Sequence, residues 1–361
     1  MTKIFKLAAL FIGTIIGAGF ATGKEIALYF GSVSPVAAAL SGIFMGALMA
    51  LFMLSGKYGF SVSGKGAKIA VYISSAITAS AMIAAIESLF YNFLGLPLMG
   101  LLFALIGAVI VAFGMDKVKL INFIMVPAIV VLIVLIFVKK GNYGASGGFS
   151  IFPPISYAAL NILLAGFILS EEGKRSSEKE IALSSFIAGV FLAVMLYLLR
   201  CVVDGEQGNM PVLSSAQQSG LKWGAVALIF LAVFTTLLSA LKMLNDVSEK
   251  INAFLNIKGK APNVLLTLIL SYPLSLFGFG NLVDFGYPAV SAMGIALIVF
   301  TLVNLFAKNC EKLSATPLPR RRRPRQSPPG KKRFCKSSKP RRCPPPLSDD
   351  NKGRPKSRAQ A

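Results

Sequence analysis

Apolar runs recur along the chain, separated by short segments rich in charge, glycine or proline. A helix rising about 1.5 Å per residue needs about 20 apolar residues to cross a hydrocarbon core of about 30 Å. Ten runs meet or approach that length: Ile4–Phe30, Pro35–Leu54, Ile69–Phe93, Pro97–Gly114, Val118–Val138, Pro154–Ser170, Ile181–Arg200, Leu221–Asn245, Ala261–Phe279 and Asn281–Ala307. They predict an all-α integral membrane protein. The division between the third and fourth runs rests on Gly95 and Pro97.

Charge placement supports the count. With the N-terminus inside, the cytoplasmic segments before the tail carry thirteen basic residues, against four outside (Lys139, Lys140, Arg200 and Lys222). That is the positive-inside pattern, and shifting the count by one span would scramble it. Both termini are then expected in the cytoplasm. A cleaved signal peptide is the competing reading of residues 1–22; removing it would leave nine spans and spoil the charge pattern.

Composition agrees. Of 361 residues, 55% are hydrophobic and 14% charged, outside the ordinary soluble range. The 37 Lys and Arg against 15 Asp and Glu resemble a nucleic-acid signal, but residues 308–361 supply net +15 of the +22 and residues 1–307 only +7. Domains are expected at 1–307, a transmembrane body, and 308–361, a basic tail. From about Ala315 the tail is dominated by proline, arginine, lysine and serine, a composition that cannot bury enough apolar surface to fold. It reads as a disordered cytoplasmic tail, as a polybasic strip held against anionic lipid, or as a frameshifted, spurious C-terminus. Nucleic-acid binding ranks last, since Phe334 is the sole interleaved aromatic. The absence of histidine removes zincin motifs and His-based triads. Cys201, Cys310, Cys335 and Cys343 form neither a disulfide scaffold nor a CxxC pair. No cofactor is implied.

Ten spans say little about function; helix breaks and intramembrane polar groups say more, because each is costly in lipid unless it lines a site. In the first run, Gly13, Gly17, Gly19 and Gly23 fall within eleven residues. Gly17 lies about 20 Å along the helix from Ile4, near the bilayer middle. A break there exposes carbonyls suited to a cation and amides suited to a carboxylate. Close GxxxG packing is an equally open reading of the same glycines. The sixth run is short, starts after Pro153-Pro154, and holds Asn161 and Gly166. Interrupted spans at matched positions of two five-span halves point to a midplane site. The eighth run carries Thr235, Thr236 and Ser239, which are either capped by their own helix or oxygen ligands for a small cation. Glu87 is the one carboxylate deep in an apolar run, on a face with Ser80, Ala84 and Tyr91. It is either functional or a protonated structural group. Lys24, Glu25 and Asp284 read as interfacial or near the break.

This layout resembles the LeuT-type secondary transporters of the APC superfamily, with ten helices as a 5+5 inverted repeat and helices 1 and 6 broken. The stretch GTIIGAGFATGKEIALYFG (13–31) more narrowly resembles the bacterial YkvI-type membrane proteins. The resemblance implies a sodium ion between the helix-1 break and helix 8, held by carbonyls of Gly13, Ile16 and Ala232 and hydroxyls of Thr235 and Thr236. It implies a substrate site at Thr14, Gly17, Ala18, Gly19, Asn161, Glu87 and Tyr91. Span five carries only Lys119 at its edge, which favours sodium over a substituting lysine. The sixth run shows no clear glycine-rich break, and Glu87 has no counterpart in the sodium-coupled pattern.

The expected activity is alternating-access transport of a small, amino-acid-like solute across the bacterial cytoplasmic membrane, coupled to Na⁺. The amide end at Ala18–Ala21 would face the solute carboxylate, with Glu87 near its amine. The alternatives are proton coupling through Glu87, a non-transporting sensor or assembly protein on the same fold, and an intramembrane enzyme, for which Glu87 and Asp284 are the only candidate acid pair.

Overall fold

The computed structural model describes residues 2–59, 65–113, 118–141, 147–206, 208–257 and 259–314. The stretch 315–361 lies outside them, and with it every reading of the basic tail. One compact unit covers Met1–Ser314. Its regular elements among the described residues are all helices, with a single isolated bridge between Val33 and Gly148.

Each apolar run is helical. The first is divided into α1 (Thr2–Ile15), α2 (Ala18–Thr22) and α3 (Lys24–Phe30). Then follow α4 (Pro35–Lys57), α5 (Lys65–Leu94), α6 (Met99–Phe113), α7 (Val118–Lys140), α8 (Phe152–Gly173) and α9 (Glu178–Val203). A short helix, α10 (Pro211–Gln218), was not foreseen; it buries Val212, Leu213 and Ala216 in the connection to α11 (Lys222–Phe254). The chain closes with α12 (Lys260–Ser275), α13 (Phe279–Asn281), a π-helical turn at Leu282–Gly286, and α14 (Tyr287–Ser314). α14 thus runs past the boundary expected at residue 307.

Among the described residues, six helices are long and apolar enough to cross a membrane by themselves, in α4, α5, α8, α9, α11 and the α13–α14 stretch. The first run falls short because it is cut, and α6 and α12 have 15 and 16 residues. This is a membrane protein built from apolar helices.

The core is tight where glycine lets main chains touch. A Cβ at Gly46 of α4 would stand 2.8 Å from the Gly189 Cα of α9. Small residues are the usual means of close helix approach where lipid supplies no hydrophobic drive. α5 packs along α11, and α14 along α8.

Polar ties mark the two ends of the bundle. At the end that carries the N-terminus, Lys3 pairs with Glu180 at 2.9 Å and Lys57 with Glu178 at 3.2 Å. At the opposite end the buried Arg200 of α9 donates through Nε to the carbonyls of Phe30 (2.7 Å) and Val33 (3.0 Å), and pairs with Asp204 at 2.6 Å. It therefore caps the carbonyl end of α3 with a cation, which the helix dipole favours.

The break expected in the sixth run is absent: α8 is one continuous helix of 22 residues. Pro153 and Pro154 occupy its first turn, where missing N–H groups cost nothing. Asn161 donates to the Tyr157 carbonyl at 2.9 Å, reinforcing the turn that it was expected to open. Gly166 instead admits the Phe52 ring; a Cβ there would stand 2.7 Å from it.

Candidate functional site

Ile16 and Gly17 lie outside helical structure, between α1 and α2. The Gly17 amide turns back to the Ile15 carbonyl at 2.9 Å instead of reaching Gly13, and the Ala18 amide goes to the Thr236 hydroxyl at 3.3 Å. Among the described residues the carbonyls of Gly13, Thr14 and Ile16 therefore receive no main-chain hydrogen bond across the break, and the amides of Gly19 and Phe20 donate none. Bare helix ends of this kind carry partial negative and positive charge respectively.

α11 faces this gap. A Cβ at Gly17 would stand 3.2 Å from Thr236 Oγ1, so Thr236 lies directly against the break. Thr235 turns toward α7, donating to its own Ala232 carbonyl (3.1 Å) with Met125 Sδ at 3.4 Å. A cavity of about 250 Å³ is lined by Gly13, Ile16, Thr235 and Thr236 and reaches past Val71, Ile168 and Met243 toward the end of the N-terminus. Four of the five expected cation-holding residues thus share one cavity. Ala232 is outside its lining, its carbonyl engaged by Thr235.

A second cavity of about 100 Å³ adjoins the first through Thr14, Gly17, Thr78, Leu164 and Thr236. It brings together the expected substrate residues Thr14, Gly17, Ala18, Gly19 and Asn161. It also contains residues that sequence reasoning missed: Ser74, Thr78 and Met82 on α5, Tyr287 on α14, and Glu25. Glu25 enters by a backbone device. On an unbroken helix, six residues after Gly19 would put it about 240° round and about 9 Å along. Gly23 instead adopts φ +75°, a left-handed conformation that glycine accepts without strain, and separates α2 from α3. The Glu25 carboxylate folds back onto Gly19 so closely that a Cβ there would fall upon it. Tyr157, fully buried on α8, neighbours the carboxylate.

Beyond Glu25 and Tyr287, α3 is joined to the α13–α14 stretch. Lys24 Nζ lies 3.1 Å from the Asp284 carboxylate, and the Tyr29 hydroxyl is 2.6 Å from Ser291 Oγ.

Glu87 and Tyr91 are not at the break. The Glu87 carboxylate accepts the amides of Leu98 and Gly100, both at 2.8 Å, and so caps the start of α6. Both residues line a different cavity with Asn209 and Tyr272, and Tyr91 is 61% exposed. The expectation that Glu87 faces the solute amine is corrected by these two hydrogen bonds. Lys24 and Asp284, read as interfacial, form an ion pair between two helices.

The fold has a counterpart among solved structures. The chain superposes on the inward-facing conformation of Mhp1 with a TM-score of 0.55 at 13% identity, over 81% of this chain and 73% of that one. The fold is of the LeuT type. In sequence, this LeuT-type chain is 25% identical over 329 residues to the Bacillus subtilis membrane protein YkvI, covering 81% of this chain and 93% of the relative. It is 25% identical over 337 residues to B. subtilis YyaD, covering 82% and 96%. No protein-family model matches the chain.

Proposed function

We propose that this chain is a secondary active transporter that moves a small, amino-acid-like solute across the bacterial cytoplasmic membrane by alternating access, coupled to Na⁺. The observation that carries the reading is the pair of adjoining cavities at the Ile16–Gly17 break, lined by unpaired main-chain ends on one side and by Thr235 and Thr236 on the other. Unsatisfied peptide groups in the middle of an apolar bundle are tolerated where they line a cavity or a site. The LeuT-type fold is consistent with it. The ten-helix count, the 5+5 repeat and cytoplasmic termini belong to the same proposal.

In this reading Na⁺ is a co-transported substrate. Carbonyls of Gly13 and Ile16 with hydroxyls of Thr235 and Thr236 supply hard oxygen donors of low charge, which suit a weakly held and releasable ion. The larger cavity's reach toward the N-terminal end then corresponds to an inward-facing state. The Lys24–Asp284 and Tyr29–Ser291 contacts lie on the closed side. With two amides on its carboxylate, Glu87 has a structural role in this reading, and proton coupling through it is set aside.

The test is uptake of labelled amino acids into proteoliposomes under an imposed Na⁺ gradient at fixed pH. Gradient-driven accumulation is expected, and Thr235→Ala with Thr236→Ala should abolish its Na⁺ dependence. Uptake indifferent to Na⁺ would remove the coupling assignment; no uptake of any solute would remove the transporter reading.

A further inference from the structure

We propose that Glu25 binds the ammonium group of the transported solute, with Ser74 and Asn161 as its neighbouring acceptors. The proposal deepens the transporter reading above and rests on it. Three observations on the smaller cavity carry it.

First, Glu25 is an acid without a base. Among the described residues its carboxylate is in no ion pair, although it lines an interior cavity. Lys24, next to it in sequence, is committed to Asp284 at 3.1 Å, and among the described residues no Lys or Arg lines either cavity at the break. An ionised carboxylate inside an apolar bundle needs a positive partner. When none is built in, the partner is something that arrives.

Second, beside the Tyr157 hydroxyl, which can donate to the carboxylate, the cavity offers two unused acceptors. Ser74 is fully buried on α5, lines the same cavity, and its hydroxyl has no hydrogen-bond partner among the described residues. Asn161 directs its amide nitrogen to the Tyr157 carbonyl, which leaves its side-chain oxygen as the unused group. A carboxylate, a hydroxyl oxygen and an amide oxygen match the three donors of a primary ammonium group. They match neither a carboxylate nor a neutral apolar head.

Third, Glu25 itself occupies the place expected for a solute carboxylate. It packs on Gly19, so an anion that belongs to the chain already fills the space beside Gly19 where a solute carboxylate was expected. The remaining volume, about 100 Å³, takes a small head group, and any longer part of the solute extends past Thr14 and Thr78 into the larger cavity. An amine is therefore the feature that the site selects, and a carboxylate on the solute is dispensable.

The experiment is a thermal-stability titration of the purified full chain in sodium buffer. The probes are graded primary amines and amino acids, set against neutral and anionic isosteres: propylamine and alanine against propionamide and propionate. The amines should raise the melting temperature and the isosteres should not. Glu25→Gln should weaken amine binding about tenfold or more, as expected for loss of a charge-assisted hydrogen bond. Glu25→Asp, which keeps the charge, should bind with intermediate affinity, and it decides the matter if the Gln variant does not fold. Glu171→Gln, at an exposed carboxylate remote from both cavities, should change nothing. The proposal is overturned if no amine stabilises the wild-type chain, if propionamide acts like propylamine, as it would were the positive partner a proton or an inorganic ion, or if Glu25→Gln retains amine binding. Binding is read at equilibrium, without flux. Amine binding without uptake would sink the transporter reading alone, and Na⁺-driven uptake without Glu25-dependent amine binding would sink this one alone.

Discussion

The Ala18 amide donates to the Thr236 hydroxyl at 3.3 Å across 218 residues of sequence. This one bond ties the amide end of α2 to α11 at the point where the first apolar run leaves helical geometry. It explains how a break inside an apolar bundle is tolerated: one of its orphan donors is met by a side chain from elsewhere, and Gly19 lines a cavity.

Thr236→Val keeps the shape and removes the acceptor. An unmet amide beside the break should lower stability by about 1–3 kcal/mol, read as a fall in melting temperature. Thr236→Ser should keep the hydrogen bond and stay near wild type. If Val and Ser behave alike, the Ala18–Thr236 bond is not supporting the break.

Arg200 should be intolerant even of lysine. Its guanidinium serves the carbonyls of Phe30, Gly31 and Val33 together with Asp204, and the residue is 1% exposed. A lysine presents one charged centre and cannot span that fork. Arg200→Lys should cost about 1.5–3 kcal/mol, the worth of a charge-assisted hydrogen bond or two. The measurement is thermal unfolding of the purified protein; a shift within a degree or two would contradict the capping role.

Glu87 should separate stability from transport. Glu87→Ala leaves the Leu98 and Gly100 amides without acceptors and should destabilise by about 0.5–2 kcal/mol, as the loss of a helix cap does. The Na⁺ dependence of uptake in the same variant should be unchanged. A lost Na⁺ response with an unchanged melting temperature would return Glu87 to the transport machinery.

The Lys24–Asp284 pair should be reversible by charge exchange. Lys24→Asp and Asp284→Lys each set like charges against one another, and the double exchange restores opposite ones. Uptake should fall in both single variants and recover in the double. Additive losses would mean that the two residues act independently.

Much of the helical layout was legible in the sequence because apolar run length is dictated by the bilayer. The break at Gly17 was only half legible, since four glycines in eleven residues fit a break and close GxxxG packing equally well. Gly23 is one of them, but nothing in the spacing predicts its left-handed turn, and that turn is what brings Glu25 back onto Gly19. The residues facing the break from α5 could have been found by depth. The first and third spans start at the same end, so the level of Gly17, about 20 Å along the first, corresponds to the neighbourhood of Thr78 and Met82 on the third. Glu87 lies about 27 Å along that span, and a lone carboxylate there is conspicuous in sequence whether or not it faces the break. The continuous α8 was illegible for the opposite reason: Asn161 looks like a helix-opening residue, and only its hydrogen bond to the Tyr157 carbonyl reveals that it strengthens the turn.

Alternating access at the break is tested most directly by the accessibility of a single cysteine. Ser75 lines the larger cavity on its way to the N-terminal end. Ser75→Cys would be placed in a chain whose own cysteines, at 201, 310, 335 and 343, are replaced. It would then be labelled with a membrane-impermeant maleimide in vesicles of each orientation. The account predicts labelling from the N-terminal face without Na⁺, and protection when Na⁺ and an amine that stabilises the chain are added together. Labelling that is equal from both faces, or unchanged by Na⁺ and amine, would contradict it.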